Sequence, residues 1–230
     1  MLDTLFKSGL SDPVAASFQA SWSCVARSVG TAHVLPARMG HFADPGEGAG
    51  QDFAQLVRRE NRQLILLSER DHAISNSIRQ VSQLRGVQMV READPMEAIA
   101  SFRHAVLKAK DQVEMLELAR RTKPGPFEVD TPRLGRFIGV REGGRLIAMA
   151  GLRMGFPGWS EISGVCVDPK FRGQGLARLL VAKLVTHLER KGVRPFLHTY
   201  ADNLVAIELY RTLGFRIRTE MCLSLVEART

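Results

Sequence analysis

Two hydrophobic periods alternate along the second half of the chain. Leu176, Leu179, Leu180, Leu184 and Leu188 recur at three- and four-residue spacings, which predicts an amphipathic helix over about 174–191 with Gly192 as its stop. Ahead of it, apolar runs at Ala105–Leu107, Arg136–Val140, Leu146–Leu152 and Glu161–Pro169 predict strands. A helix over Gln112–Arg121 must end before Lys123-Pro124-Gly125-Pro126, because proline disfavours helix in the residue preceding it. Glu142-Gly143-Gly144 and Phe156-Pro157-Gly158 supply short turns, so the last three of these strands form an antiparallel meander. Beyond the long helix, Pro195–Tyr200 predicts a strand, Leu204–Leu213 a helix closed by Gly214, and Phe215–Arg218 and Met221–Val226 two final strands. That order specifies a mixed α/β sheet with helices on its faces.

The first half is less regular. Asp44-Pro45-Gly46-Glu47-Gly48-Ala49-Gly50 favours neither helix nor strand and is the clearest linker. Asp52–Arg59 suits a short helix, Leu64–Leu67 and Val87–Val90 suit strands, and Asp94-Pro95 suits a turn. No chemistry is legible in this stretch. Residues 1–95 therefore read as an N-terminal α/β subdomain packed on a second domain at 104–230.

Composition narrows the class. The chain has 230 residues, 45% hydrophobic and 24% charged, enough for a buried core. No run approaches the roughly 18 apolar residues of a spanning helix, and the start MLDTLFKSGLSDP lacks a signal-like apolar stretch, so a cytoplasmic protein without membrane contact is expected. Cys24, Cys166 and Cys222 are too few and too scattered for a disulfide framework or a metal knuckle, and no metal is expected. The net charge of +8 is uneven: residues 1–100 carry 10 Lys and Arg against 11 Asp and Glu, residues 101–230 carry 22 against 13. A basic half suits an anionic ligand. Nucleic acid is a poor fit, since only two Trp and two Tyr are available for a stacking platform.

The anion has an obvious place to sit. Asp168-Pro169-Lys170-Phe171-Arg172-Gly173-Gln174-Gly175-Leu176-Ala177-Arg178 joins a strand to the long helix, where free N–H groups and the helix dipole favour negative charge. Gly173 and Gly175 would let a phosphate approach the main chain, with Arg172 and Arg178 nearby; the same residues would also serve a helix start that only needs a tight turn. A nucleotide P-loop needs Gly-Lys-Ser/Thr where Gly175-Leu176-Ala177 stands. A dinucleotide fingerprint needs a small residue at Arg178 and an acidic one near position 195, where Val193-Arg194-Pro195 stands.

Arg172-x-x-Gly175-x-Ala177, behind Val165-Cys166-Val167 and ahead of Asn203…Ala206-Ile207-x-Leu209-Tyr210-x-x-Leu213-Gly214-Phe215, closely resembles the GCN5-related N-acetyltransferases (GNAT) over about 104–227. Trp159-Ser160-Glu161-Ile162-Ser163 and Pro195-Phe196-Leu197-His198 are similar to the FR47-like branch. The resemblance implies a mixed sheet that splits to hold acetyl-CoA. It places the CoA pyrophosphate on the N–H groups of Arg172, Gly173, Gln174, Gly175, Leu176 and Ala177, with Lys170, Arg172 and Arg178 offsetting its charge. The pantetheine would run along Val165, Cys166 and Val167 like an added strand, and an N–H near Val165 or Cys166 would polarise the thioester carbonyl. Residues 1–95 could be a degenerate copy of the same fold.

Transfer to an amine also needs protons moved. Positions 203, 207 and 210 share one helical stripe, so Asn203 and Tyr210 face one groove; the resemblance makes Tyr210 the acid toward the CoA sulfur and Asn203 a pantetheine contact. Glu161 is the leading base candidate, since apolar flanks would raise its pKa and strand alternation puts it on one face with Ser163 and Val165. His198 is the second. Cys166 lacks a His/Asp partner pattern and reads as packing. The expected activity is direct acetyl transfer from acetyl-CoA to a primary amine, a small amine or amino acid, by a monomer or homodimer; the alternative is an acyl-CoA sensor or structural subunit without turnover.

Overall fold

A computed structural model describes residues 9–46, 50–72, 74–97 and 102–229; residues 1–8 and the centre of the expected linker, 47–49, lie outside the described residues. A small antiparallel sheet of β1 (Arg27–Val29), β2 (Ala32–Val34) and β3 (Ala43–Asp44) precedes an eight-stranded sheet of β4 (Leu64–Ser68), β5 (Ile78–Arg91), β6 (Ala105–Leu107), β7 (Phe137–Glu142), β8 (Arg145–Phe156), β9 (Trp159–Val167), β10 (Arg194–Tyr200) and β11 (Phe215–Ala228). The large sheet runs β4-β11-β5-β10-β9-β8-β7-β6, antiparallel throughout except for β9 beside β10. The helices are α1 (Pro13–Phe18), α2 (Gln51–Glu60), α3 (Gln112–Thr122), α4 (Leu176–Glu189) and α5 (Leu204–Arg211).

Strand alternation sorts the core onto the sheet's two faces. On one face, Val87, Met89, Ile138, Ala148, Ala150, Ile162 and Leu197 meet Leu180, Val181, Leu184 and Leu188 of α4 and Ile207 and Tyr210 of α5. On the other, Val90, Met154, Trp159, Phe196 and Met221 meet Leu10, Val14, Phe18, Trp22 and Phe42 of the N-terminal half, and farther along Phe137, Leu146, Met149 and Cys166 meet α3. The long helix ends as expected, with Gly192 at φ +67° taking the left-handed conformation that a Cβ disfavours.

Two expectations need correction. Residues 1–95 are not a separate packed-on unit, because β4 and β5 are strands of the main sheet and β5 sits between β10 and β11. The first half is further tied in through Arg38–Asp130, His41–Glu128 and Trp22 Nε1 on the Arg153 carbonyl. The two expected final strands are one, β11, since the polar interruption near Arg218 is a bulge: Ile217 pairs with Met89 and Thr219 with Gln88, leaving Arg218 as the extra residue.

Candidate active site

The site begins where two parallel strands part. β9 and β10 pair only through Arg194–Trp159, Pro195–Ser160 and Phe196–Glu161. Beyond Glu161, β9 stays on β8 and β10 stays on β5, so the facing edges of both strands are free. Gly164, at φ +62°, sits in a bulge where Gly164 and Val165 oppose the single Ala150. The bulge resets the alternation. Ile162 and Val165 both pack toward α4, so Val165 is not on the Glu161 face as simple alternation predicts. Cys166 points the other way, into the α3 cluster, where burial pushes its thiol up to about 11; it is a packing residue.

At the C-terminal end of β9, Asp168 holds the turn. Its carboxylate accepts from the Lys170 N–H and pairs with Arg145 at 2.8 Å and Arg121 at 3.6 Å. Arg172 N–H donates to the Pro169 carbonyl, so it is committed to this turn rather than to a ligand. The N–H groups of Gly173, Gln174 and Gly175 have no protein partner among the described residues. Gly173 (φ +78°) and Gly175 (φ +73°, the N-cap of α4) need glycine for their conformation, and nothing lies within 4 Å of where a Cβ would stand. An exposed nest of donors at a helix start, with open space above it and the Arg172 side chain exposed beside it, fits a phosphate. Leu176 and Ala177 form the first turn, while Arg178 lines a separate groove between α4 and the end of α5.

A cleft with a cavity volume of about 150 Å³ runs through the split. Asn203, the cap of α5, and Ala206 and Tyr210 within it line the cleft together with Phe42, Arg153, His198 and Lys123–Pro126. Asn203 caps α5, its side chain accepting from the Ala206 N–H at 3.2 Å. Tyr210 is buried against Phe215, yet its hydroxyl makes no hydrogen bond among the described residues. Burial, with the Cys166 and Glu161 charges, raises its pKa, so the phenol keeps its proton at neutral pH.

Glu161 differs from its expected state. Burial alone would raise its pKa, but Arg153 and His198 outweigh it and hold the carboxyl at about 2. Arg153 grips both oxygens at 3.0 Å and His198 Nδ1 lies 2.9 Å from Oε1. With its lone pairs engaged and its basicity lowered, Glu161 is poorly placed to take a proton near neutrality. A depressed carboxyl pKa stabilises the fold fully above the unfolded value near 4.5, and this is lost as pH falls through about 2. The urea-midpoint gap between wild type and Glu161→Gln is therefore expected to narrow between pH 4.5 and 2, and a constant gap would refute the ionised assignment.

Comparison with known proteins places this geometry. The profile of the Acetyltransferase (GNAT) family matches residues 100–215. The chain belongs to this family. A crystal structure of a protein assigned to the GNAT acetyltransferases from Novosphingobium aromaticivorans is 35% identical, with a TM-score of 0.90 over 96% of this chain and 99% of that one. N-alpha-acetyltransferase RimI of Mycobacterium tuberculosis is 37% identical over 83 residues, 35% of this chain and 51% of that protein. The Escherichia coli [ribosomal protein bS18]-alanine N-acetyltransferase is 43% identical over 61 residues, 26% of this chain and 41% of its own length. The chain thus spans about half the length, or less, of these curated relatives.

In this GNAT chain the cleft and its surroundings also include residues that the sequence does not mark. Phe42 and Gln88 come from the half in which no chemistry was legible, and Arg153 reaches Glu161 from a second bulge, where Arg153 and Met154 oppose one β9 residue. No local signal marks any of them, because each depends on a strand register set across the sheet. No helix among the described residues is long and apolar enough to cross a membrane, and they include no cluster of three or more His, Cys, Asp or Glu able to hold a metal.

Proposed function

We propose that this GNAT protein is an N-acetyltransferase that moves an acetyl group from acetyl-CoA directly to a primary amine in a ternary complex. The observation that carries the reading is one continuous cleft joining the free edge of β9, the unpartnered Tyr210 hydroxyl and the opening in the sheet, with the donor nest of Gly173–Gly175 at the end of the same strand. Acetyl-CoA supplies the activated acetyl thioester. The N–H groups of Gly173, Gln174 and Gly175 bind the pyrophosphate, with Lys170 and Arg172 supplying positive charge around it. The free edge of Val165–Val167 aligns the pantetheine, and a β9 N–H near Val165 or Cys166 polarises the carbonyl. Tyr210 gives its phenolic proton to the departing sulfur.

No Asp or Glu lines the cleft among the described residues, so the acceptor amine attacks in its neutral form, the proton its nitrogen sheds on acylation passes to solvent, and solvent returns a proton to Tyr210 after the thiol leaves. The acceptor class is a primary amine borne by a small molecule or amino acid, as in the FR47-like branch. The curated relatives named for N-alpha and alanine acetylation set the α-amine of a polypeptide beside it.

Thermal unfolding with ligand tests the cofactor. At about 100 times the dissociation constant, acetyl-CoA and CoA each add roughly 2.7 kcal/mol and raise the midpoint by roughly 5–10 °C, while NADPH leaves it unchanged. A shift followed by acetylation of one member of an amine and peptide panel supports the enzyme. A protein free of co-purified CoA that shows no shift rejects the reading.

A further inference from the structure

On the sheet face opposite α4, five polar side chains from five neighbouring strands form one unbroken row. In order across β8, β9, β10, β5 and β11 they are Arg153, Glu161, His198, Gln88 and Arg218. Beyond the Arg153–Glu161–His198 contacts, His198 Nε2 lies 3.1 Å from Gln88 Nε2, and Arg218 Nη1 donates to Gln88 Oε1 at 2.9 Å. Glu161 and Gln88 are fully buried. The arginines at the two ends both sit in β-bulges, which re-aim a side chain that regular alternation would place elsewhere.

The donors and acceptors of this row admit one arrangement. Arginine only donates, so Arg218 fixes the Gln88 oxygen toward itself and turns the Gln88 nitrogen toward His198. That nitrogen gives its other hydrogen to the Leu10 carbonyl at 2.9 Å, so the amide is held at both ends. His198 Nε2 must then accept, and the ring carries its proton on Nδ1, donated to Glu161. A proton on Nε2 would face the Gln88 NH₂ directly. The row also crosses the sheet where it opens: backbone pairing of β9 with β10 ends at Phe196–Glu161, and the Glu161–His198 bond is the next tie between the two arms.

We propose that His198 is a positioning residue, locked as the Nδ1–H tautomer by Gln88, that ties the two arms of the split sheet and does not take the acceptor's proton. The kinetic part rests on the acetyltransferase reading. The charged groups facing the ring are Glu161 with Arg153 behind it on one side and, through Gln88, Arg218 and Glu69 on the other; Lys123 also lines the cleft.

Long-range ¹H–¹⁵N correlation of the His198 ring in the whole protein reads the tautomer, whether or not the protein turns over. Nδ1 protonated and Nε2 bare at pH 7 is expected; an Nε2–H ring or an imidazolium overturns the proposal. Gln88→Glu replaces the amide donor with an acceptor and is expected to convert the same ring to imidazolium; an unchanged ring overturns the role of Gln88. His198→Asn keeps a donor toward Glu161 but cannot shuttle a proton. It is expected to lower kcat by no more than about tenfold and keep the pH profile, whereas a loss of about 100-fold with one limb of the profile gone is the result of removing a base. His198→Ala cuts the tie and is expected to raise the acetyl-CoA KM about tenfold, more than it lowers kcat; an unchanged KM overturns the positioning role. Should that variant not fold, His198→Asn and the ring spectra still decide.

Discussion

A chain cut back to residues 100–230 is expected not to fold, although it contains all of the family-matched segment. The deletion removes β5 from the middle of the sheet, where it pairs with β11 from Phe215–Arg91 to Ala228–Ile78 and with β10 from Phe196–Val90 to Tyr200–Gly86. Both neighbours would expose unpaired edges, and β4 would be lost beyond them. Val87, Met89 and Val90 are buried on the two faces, and removing three such side chains costs about 5–9 kcal/mol at roughly 1.5–3 kcal/mol each. That is comparable to the roughly 5–15 kcal/mol by which a whole domain is stable. Far-UV circular dichroism and a thermal scan check it: a disordered or aggregated product is expected, and a cooperative transition with native-like secondary structure would show that β5 is dispensable.

Tyr210→Phe is expected to lower kcat by about 100-fold or more while changing the acetyl-CoA KM by less than about twofold. The hydroxyl makes no hydrogen bond among the described residues, so removing it breaks no structural contact, and the ring keeps its packing on Phe215. Thermal stability should be unchanged within about 0.5 kcal/mol, which separates lost chemistry from lost fold. Single-turnover rates at saturating acetyl-CoA read the chemical step directly. Equal rates for the two proteins would remove Tyr210 from the mechanism and leave the thiolate to be protonated by solvent.

What the sequence made legible was local. The spacing of Leu176, Leu180, Leu184 and Leu188 and the stop at Gly192 gave α4 closely, because helix period and a left-handed cap both lie within a few residues of the positions they govern. The three-residue strand Ala105–Leu107 and the turn glycines of the meander were readable for the same reason. The shared stripe of Asn203 and Tyr210 puts both on one cleft. Non-local pairing left no such trace. β5 carries Arg79, Gln80, Ser82, Gln83 and Arg85 along its exposed part, so only Val87–Val90 reads as a strand, and nothing in its own residues tells that β11 lies alongside. Glu161 shows the same limit at the site. Its apolar flanks point to a raised pKa, whereas the partners that lower it arrive from β8 through a bulge and from β10 across the opening.

The placement of β5 also sets the order in which this protein can be assembled on the ribosome. Arg91 ends β5 more than 100 residues before Arg194 begins β10, the first of its two partners, and β11 follows later still. At roughly 5–20 residues per second, the strand waits on the order of 5–20 seconds with both edges unpaired. The sheet cannot be completed from the N-terminus onward, because β10 and β11 must close around a strand made long before them. Until β10 and β11 are made, Ile78–Arg91 has both edges free to pair elsewhere, so the cleft at the split in the sheet is among the last parts of the molecule to form.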